Sequence, residues 1–153
     1  MDMYGELILD HSKRPVGAGL RDDFQAEVHH INPTCGDEVT LRVHVGEAEG
    51  APVLSDLSYD ALGCSISVAS TSILAEECVG ETLEQTLARY QAVHAMLTSR
   101  GTDPGNAEEI GDAVALAGVA KYPARVKCAL LGWTAYLDAL AQSGVDISAR
   151  ETL

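Results

Sequence analysis

Apolar and polar residues alternate along one stretch of the chain, from Val39 to Val45. Apolar side chains occupy every second position there, at Val39, Leu41, Val43 and Val45. A period of two predicts a β-strand with one buried face. Residues 25–31 and 53–62 predict a strand on either side of it, with 32–37 as the first connection. The first half of the chain therefore predicts a small antiparallel meander.

Helical periodicity replaces this alternation from Ser65 onward. Apolar residues then recur at spacings of three and four, which predicts one helix up to Gly80 and a second from Leu83 to Gly101. Asp103-Pro104 opens a further helix, with an apolar stripe at Ile110, Val114 and Ala117. Pro123 suits the first turn of a last helix. The apolar stripe of that helix is Val126, Leu130, Trp133, Leu137 and Leu140.

The order of the elements predicts the fold class. A short helix from Tyr4 to Lys13 stops before Pro15 and precedes the strands. No internal repeat or interdomain linker interrupts the chain. We expect one α+β domain over residues 1–153, a small three-stranded antiparallel sheet with helices packed beside it.

Composition and charge narrow the possible partners. The 153 residues are 46% hydrophobic, which is typical of a globular protein with a packed core. The formal net charge of −13 repels nucleic acid and anionic lipid surfaces. No apolar run approaches the roughly 20 residues of a membrane span, and the N-terminus lacks the pattern of a secretion signal. We expect a cytoplasmic protein without nucleic-acid or membrane partners.

Three of the four cysteines lie where a turn or a helix start can expose a thiolate. In a reducing cytosol, cysteines serve more often as metal ligands or reactive thiols than in disulfides. Cys35 and Asp37 are two residues apart in a turn where Gly36 lets the backbone curl. Cys64 precedes a helix whose unpaired amide groups favour its thiolate form. Cys128 falls in the first two turns of the last helix, off its apolar stripe.

Three thiolates and a carboxylate suit a tetrahedral Zn²⁺ ion, and thiolates also suit an iron–sulfur cluster, so the sequence leaves both open. A zinc ion so bound carries an excess negative charge that Arg125 and Lys127 would offset. Cys78 is roughly 21 Å along the helix from Cys64, too far to share the ion, and is interpreted as a small buried hydrophobe. The chain has no Cys-x-x-Cys pair, so the cysteine spacing alone is only a modest indication of a metal site. A single cysteine is often just a buried packing residue.

Three local motifs, taken together, make the chain recognisable. They are Asn-Pro-Thr-Cys-Gly-Asp at 32–37, Gly-Cys-Ser-Ile-Ser at 63–67 and Pro-Ala-Arg-Val-Lys-Cys at 123–128. In this order, and with Tyr4 and Asp10-His11 near the start, they resemble the IscU/NifU-like superfamily, most closely its SufU branch. The resemblance implies a single SufU-like domain with the SufE/NifU-like fold. It also implies a metal site made by Cys35, Asp37, Cys64 and Cys128.

The resemblance implies a zinc-dependent sulfur acceptor. Such a protein takes persulfide sulfur from a SufS-type, pyridoxal-phosphate-dependent cysteine desulfurase and passes it to the proteins of iron–sulfur cluster assembly. It is a sulfurtransferase-type partner of the desulfurase rather than a stand-alone enzyme. Cys35 would be the accepting, catalytic thiol. The alternative is a scaffold on which an iron–sulfur cluster is assembled and then transferred, and a purely structural zinc domain is a third hypothesis.

Two departures from the IscU scaffolds favour sulfur transfer. Those scaffolds have a histidine directly before the third cysteine, whereas Lys127 stands there in this chain. The long region from Leu83 to Ala120, between the second and third motifs, resembles the extra helical insertion of the SufU proteins. Both features favour the SufU branch over the scaffold branch.

Overall fold

Three antiparallel strands form the sheet, in the spatial order β1, β2, β3. They are β1 (Ala26–Asn32), β2 (Asp37–Ala48) and β3 (Ala51–Leu62). The structure is a computed structural model that describes residues 3–33 and 36–144, with the backbone alone for residues 3 and 4. Alternate residues of β1 and β2 face the helices and are buried, so the predicted meander is confirmed.

Within the described residues, five α-helices and one 3₁₀ helix pack beside the sheet. They are α1 (Met3–Lys13), α2 (Ser65–Cys78), α3 (Leu83–Leu97), α4 (Ala107–Ile110), the 3₁₀ helix (Gly111–Lys121) and α5 (Pro123–Gln142). The α+β class, with helices packed beside a three-stranded sheet, is confirmed. In the part of the chain described here, no helix is both long and apolar enough to cross a membrane.

The segment that follows α3 differs from the prediction of one continuous helix opening at Asp103-Pro104. The Asp103 carboxylate accepts the Gly105 N–H at 2.9 Å, which holds a turn in place of a helix start. Helix α4 begins only after Asn106, whose side chain caps it. Gly111 has a positive φ of 56° and ends α4 after one turn. The remainder continues as the 3₁₀ helix.

Helix α5 buries a wider face than its apolar stripe predicts. It packs against the sheet and also against α2 and the 3₁₀ helix, so side chains on more than one side of it are enclosed. Cys128, predicted to lie off the buried face, is only 3% exposed. Leu130 and Leu137, predicted for the stripe, are partly exposed. Cys128 lies off the predicted apolar stripe, and the wider buried face of α5 includes it all the same.

Small side chains let α2 and α5 approach closely. A Cβ atom at Gly132 of α5 would lie 2.4 Å from the Thr71 hydroxyl of α2, so only glycine fits there. The Ser70 hydroxyl donates to the Ala129 carbonyl at 2.6 Å and accepts the Trp133 indole N–H at 3.0 Å. These bonds fix the two helices against each other. The start of α2 and the second turn of α5 consequently lie side by side.

Candidate metal centre

The inward face of the sheet ends in two polar residues, Asn32 and Asp37. They are paired across β1 and β2, and each continues a row of buried side chains along its strand. Asn32 is 6% exposed and Asp37 is 1% exposed. Because side chains alternate along a strand, the register that buries Val39 and Leu41 also carries the Asp37 carboxylate into the interior.

The Asp37 carboxylate is held against the turn between β3 and α2. One oxygen, Oδ1, accepts the backbone N–H of Cys64 at 2.9 Å, and Oδ2 lies 3.5 Å from the Cys64 sulfur. Gly63 has a φ of +149°, and a Cβ atom there would lie 2.2 Å from Asp37 Oδ1. Glycine is therefore required at 63 by both backbone conformation and space. Cys64 itself is exposed and occupies the N-cap position of α2, where its side chain makes no capping hydrogen bond.

Cys128 reaches the same point from α5. Its sulfur accepts the Asn32 side-chain amide at 3.8 Å and lies 3.6 Å from the Ala124 carbonyl. Ligand atoms of Asp37, Cys64 and Cys128 all lie within 4.8 Å of one another. No local sequence pattern identifies Asn32 as a neighbour of Cys128. The available signal was its place at the inward end of β1, opposite Asp37.

The donor set fits a metal cation. Asp37 is a buried carboxylate, and among the described residues no lysine, arginine or histidine forms an ion pair with it. A buried charge requires compensation, and one carboxylate with two thiols is a set that zinc binds well. The residues present are therefore suited to hold a soft divalent ion.

Cys35, the fourth predicted ligand and the predicted catalytic thiol, lies outside the described residues. Its assignment to the site stays a prediction.

The two cations next to Cys128 do not steady the cluster by contact. Arg125 and Lys127 are both exposed. The Arg125 guanidinium lies 5.5 Å from the centre of the Tyr122 ring. No ion pair in the described part of the chain joins either cation to Asp37. Their charge acts on the site only from the surface.

Cys78 is separate from the cluster, as predicted. It is fully buried at the end of α2, and burial raises the pKa of its thiol to about 12. A thiol of that kind is neither a ready ligand nor a ready nucleophile. The interpretation of Cys78 as a packing residue is confirmed.

Three large apolar side chains are exposed on segments that adjoin the cluster residues in the sequence. Ile31 and Leu62 are each 56% exposed and Tyr122 is 55% exposed, the three highest values among the exposed large apolar residues described. Each lies within a few residues of a cluster element: Ile31 beside Asn32, Leu62 before Gly63, and Tyr122 before α5. An open groove of about 400 Å³ is lined in part by Ile31, Asn32 and Lys127.

Comparison with known proteins gives consistent matches over most of the chain. The family model described as the NifU-like N terminal domain matches residues 3–129. The iron–sulfur cluster assembly scaffold protein IscU of Streptococcus pyogenes serotype M1 is 37% identical over 141 residues, 92% of this chain and 84% of that protein. The zinc-dependent sulfurtransferase SufU of Bacillus subtilis is 34% identical over 140 residues, which are 92% of this chain and 90% of that protein.

A solved structure matches in three dimensions as well. It comes from Fervidobacterium islandicum AW-1 and is named as an iron–sulfur cluster assembly scaffold protein for the SUF system. Its TM-score is 0.76 at 30% sequence identity, and the match covers 88% of this chain and 94% of that one. Sequence and fold therefore point to the same group of proteins.

Proposed function

Since this chain belongs to the NifU-like N-terminal domain family, we propose that it is a zinc-dependent sulfur acceptor for a SufS-type cysteine desulfurase. Its relatives are named for iron–sulfur cluster assembly or for zinc-dependent sulfur transfer, and a role in cluster assembly is common to both. The observation that carries the proposal is the convergence of Asp37, Cys64 and Cys128 on one point.

Sulfur acceptance is a thiol–persulfide exchange. The Cys35 thiolate attacks the terminal sulfur of the persulfide on the desulfurase, and a bond forms between Cys35 Sγ and that sulfur. The sulfur–sulfur bond of the donor breaks, and its cysteine leaves as a thiolate. Charge and redox state balance, since one persulfide and one thiolate become another persulfide and another thiolate. A later acceptor removes the sulfur from Cys35 by the same exchange.

Asp37, Cys64 and Cys128 hold the rest of the site in place during that exchange. The Cys64 N–H and the Asn32 amide orient the Asp37 carboxylate and the Cys128 sulfur before any partner arrives. When bound, zinc would keep the thiols as thiolates without redox chemistry of its own. Cys35, next to Gly36 in a connection between strands, is the ligand best placed to leave.

Exposed apolar side chains on segments next to the cluster residues support docking of a protein. Ile31, Leu62 and Tyr122 are exposed, and large apolar side chains cost free energy in water. The exposed cation Lys127 lines a groove together with Ile31 and Asn32. A desulfurase that covers this surface would bring its persulfide to Cys35 and exclude water from the exchange.

The alternative is a scaffold on which a cluster is built between the same thiols. The match to the Streptococcus IscU scaffold, at 37% identity, favours it. Lys127 in the place where the scaffolds have histidine favours sulfur transfer, because a lysine ammonium group offers hydrogen-bond donors and no acceptor, whereas an imidazole nitrogen can ligate a metal. The ligands would be the same under both hypotheses.

Metal analysis and a desulfurase assay on one anaerobic preparation separate these functions. We expect one zinc per chain, no visible chromophore and faster alanine release when the protein is added to a SufS-type desulfurase with cysteine. A stable brown protein that donates its cluster to an apo-protein, without stimulating the desulfurase, would establish the scaffold instead. Zinc without stimulation of the desulfurase would indicate a purely structural site.

A further inference from the structure

The open groove of about 400 Å³ lies between strand β1 and helix α5. Strand β1 is the first in the spatial order of the sheet, so within the described residues no strand pairs with its outer side. Four consecutive residues, 30–33, at the end of β1 and just beyond it, form one wall of the groove. Helix α5 forms the other wall with Lys127, Leu130, Leu131 and Thr134.

The residues of the first wall show that the groove follows the backbone of β1. Successive side chains of a strand point to opposite faces of the sheet, so a pocket on one face is lined by every second residue. Here the exposed Ile31 and the buried Asn32 next to it both line the groove. The groove therefore opens along the edge of the strand, where alternate residues direct their N–H and C=O groups away from β2.

The second wall is a single face of α5. Its four residues are spaced by three and four positions, so they form one row along the helix. Leu130 and Leu131 make the row apolar, and the Thr134 hydroxyl donates to the Leu130 carbonyl at 3.0 Å. The row is about 10 Å long at about 1.5 Å per residue, which is the length of about three residues of an extended chain.

Two side-chain contacts fix the walls of the groove to each other. His30 Nε2 lies 2.8 Å from Asp138 Oδ2 of α5. The Asn32 side-chain amide donates to the Cys128 sulfur of α5 at 3.8 Å. A ligand would therefore enter a space that is already formed, which lowers the cost of binding. Because Cys128 belongs to the metal centre, a ligand in the groove would also lie next to that centre.

Lys127 places a positive charge at the groove. The chain has a net charge of −13, yet Lys127 is exposed and joins no ion pair within the described residues. An ammonium group beside two leucines is complementary to a ligand that carries a carboxylate near an apolar side chain. An open strand edge adds a requirement for main-chain N–H and C=O groups, which a peptide supplies.

We propose that this groove binds an extended segment of a partner protein, which adds to the edge of β1 as a fourth strand. The segment carries an acidic side chain at Lys127 and, two positions away on the same face, a large apolar side chain against Leu130. Main-chain hydrogen bonds to β1 hold the segment, and the two side chains select it. The proposal does not depend on which protein supplies the segment, nor on sulfur transfer.

A random heptapeptide library displayed on phage and selected against the zinc-loaded protein tests the groove. We expect the enriched peptides to carry Asp or Glu two positions from Leu, Ile, Val or Phe. A synthetic peptide with this consensus should bind Lys127→Glu at least about tenfold more weakly than the wild type, because like charges then meet. Lys13→Glu makes the same charge change at an exposed position of α1 and should bind the peptide as the wild type does.

N-methylation of the consensus peptide tests the added strand. Alternate N–H groups of a strand donate to its neighbour, so methylation of every second nitrogen should abolish binding, while methylation of the nitrogens between them should have little effect. Circular dichroism and zinc content verify that each protein variant is folded. A library without the consensus, equal binding to Lys127→Glu and the wild type, or a methylation profile without alternation would overturn the proposal.

Sedimentation of the protein alone tests the other possible occupant, a second copy of this chain. We expect Lys127→Glu to leave the oligomeric state unchanged. A wild-type dimer that Lys127→Glu dissociates and Lys13→Glu does not would assign the groove to the second copy, against the proposal. None of these assays measures sulfur acceptance, so their failure is distinguishable from a failure of the proposed function.

Discussion

Replacing Cys35 with serine is expected to lower sulfur acceptance from the desulfurase by at least about 1,000-fold. A serine hydroxyl is protonated at neutral pH and does not attack a persulfide, so no other group can take over the exchange at this position. Asp37, Cys64 and Cys128 remain, and zinc should stay bound with reduced affinity. The assay follows the gain of one sulfur atom per chain by mass spectrometry.

Cys78→Ser is the matched control for that variant. Cys78 is fully buried and away from the cluster, so this change should leave sulfur acceptance at the wild-type rate while costing some stability. If Cys35→Ser still took up sulfur at the normal rate, the catalytic assignment of Cys35 would be wrong, and the exposed Cys64 would become the candidate acceptor.

The second large effect concerns two buried cysteines that differ only in their surroundings. Cys128 is 3% exposed and Cys78 is fully buried, yet only the Cys128 sulfur lies with Asp37 and Cys64. Cys128→Ala should reduce zinc affinity by more than about tenfold, since even residues outside the ligand shell cost that much when removed. Cys78→Ala should leave the zinc content unchanged and cost about 1 kcal/mol of unfolding free energy.

Thermal unfolding with and without a chelator measures the difference. Binding of zinc to the folded state raises the unfolding temperature, so removal of zinc should lower it in the wild type and in Cys78→Ala. In Cys128→Ala the chelator should have almost no further effect. An equal response to the chelator in both alanine variants would remove Cys128 from the ligand set.

The strands could be predicted because the sheet has one buried face, whereas the end of β2 could not. Val39 to Val45 alternate as a half-buried strand should, but β2 continues to Ala48. A bulge between His44 and Val45 shifts the register there and buries His44 beside Val43. The period of two is lost at that point, so the alternation ends three residues before the strand does.

The thiol cluster could be predicted from local motifs, whereas the burial of its members could not. The residues next to Asp37 predict a turn, and the residues next to Cys64 predict a helix start. The burial of Cys128 depends instead on which elements pack against α5. An apolar stripe predicts one buried face of a helix and does not show whether a second element covers another face. That second element is α2, which approaches α5 closely where Thr71 contacts Gly132.

The polar contacts of the buried His11 with Ser72, Glu76 and Asp112 could not be predicted from spacing along the sequence. Its contacts with Ser72 and Asp112 join residues 61 and 101 positions apart. The only local signal was the one-turn separation of Ser72 and Glu76 on α2, which places two polar side chains on one face of a largely buried helix. Packing of α1 decides what meets them.

X-ray absorption at the zinc edge tests the shared coordination sphere most directly. For the zinc-loaded wild type without a partner, we expect three sulfur neighbours at about 2.3 Å and one oxygen at about 2.0–2.2 Å, falling to two sulfur neighbours in Cys35→Ser. A wild-type spectrum with nitrogen ligands, or with two or fewer sulfur neighbours, would contradict a site built from Cys35, Asp37, Cys64 and Cys128.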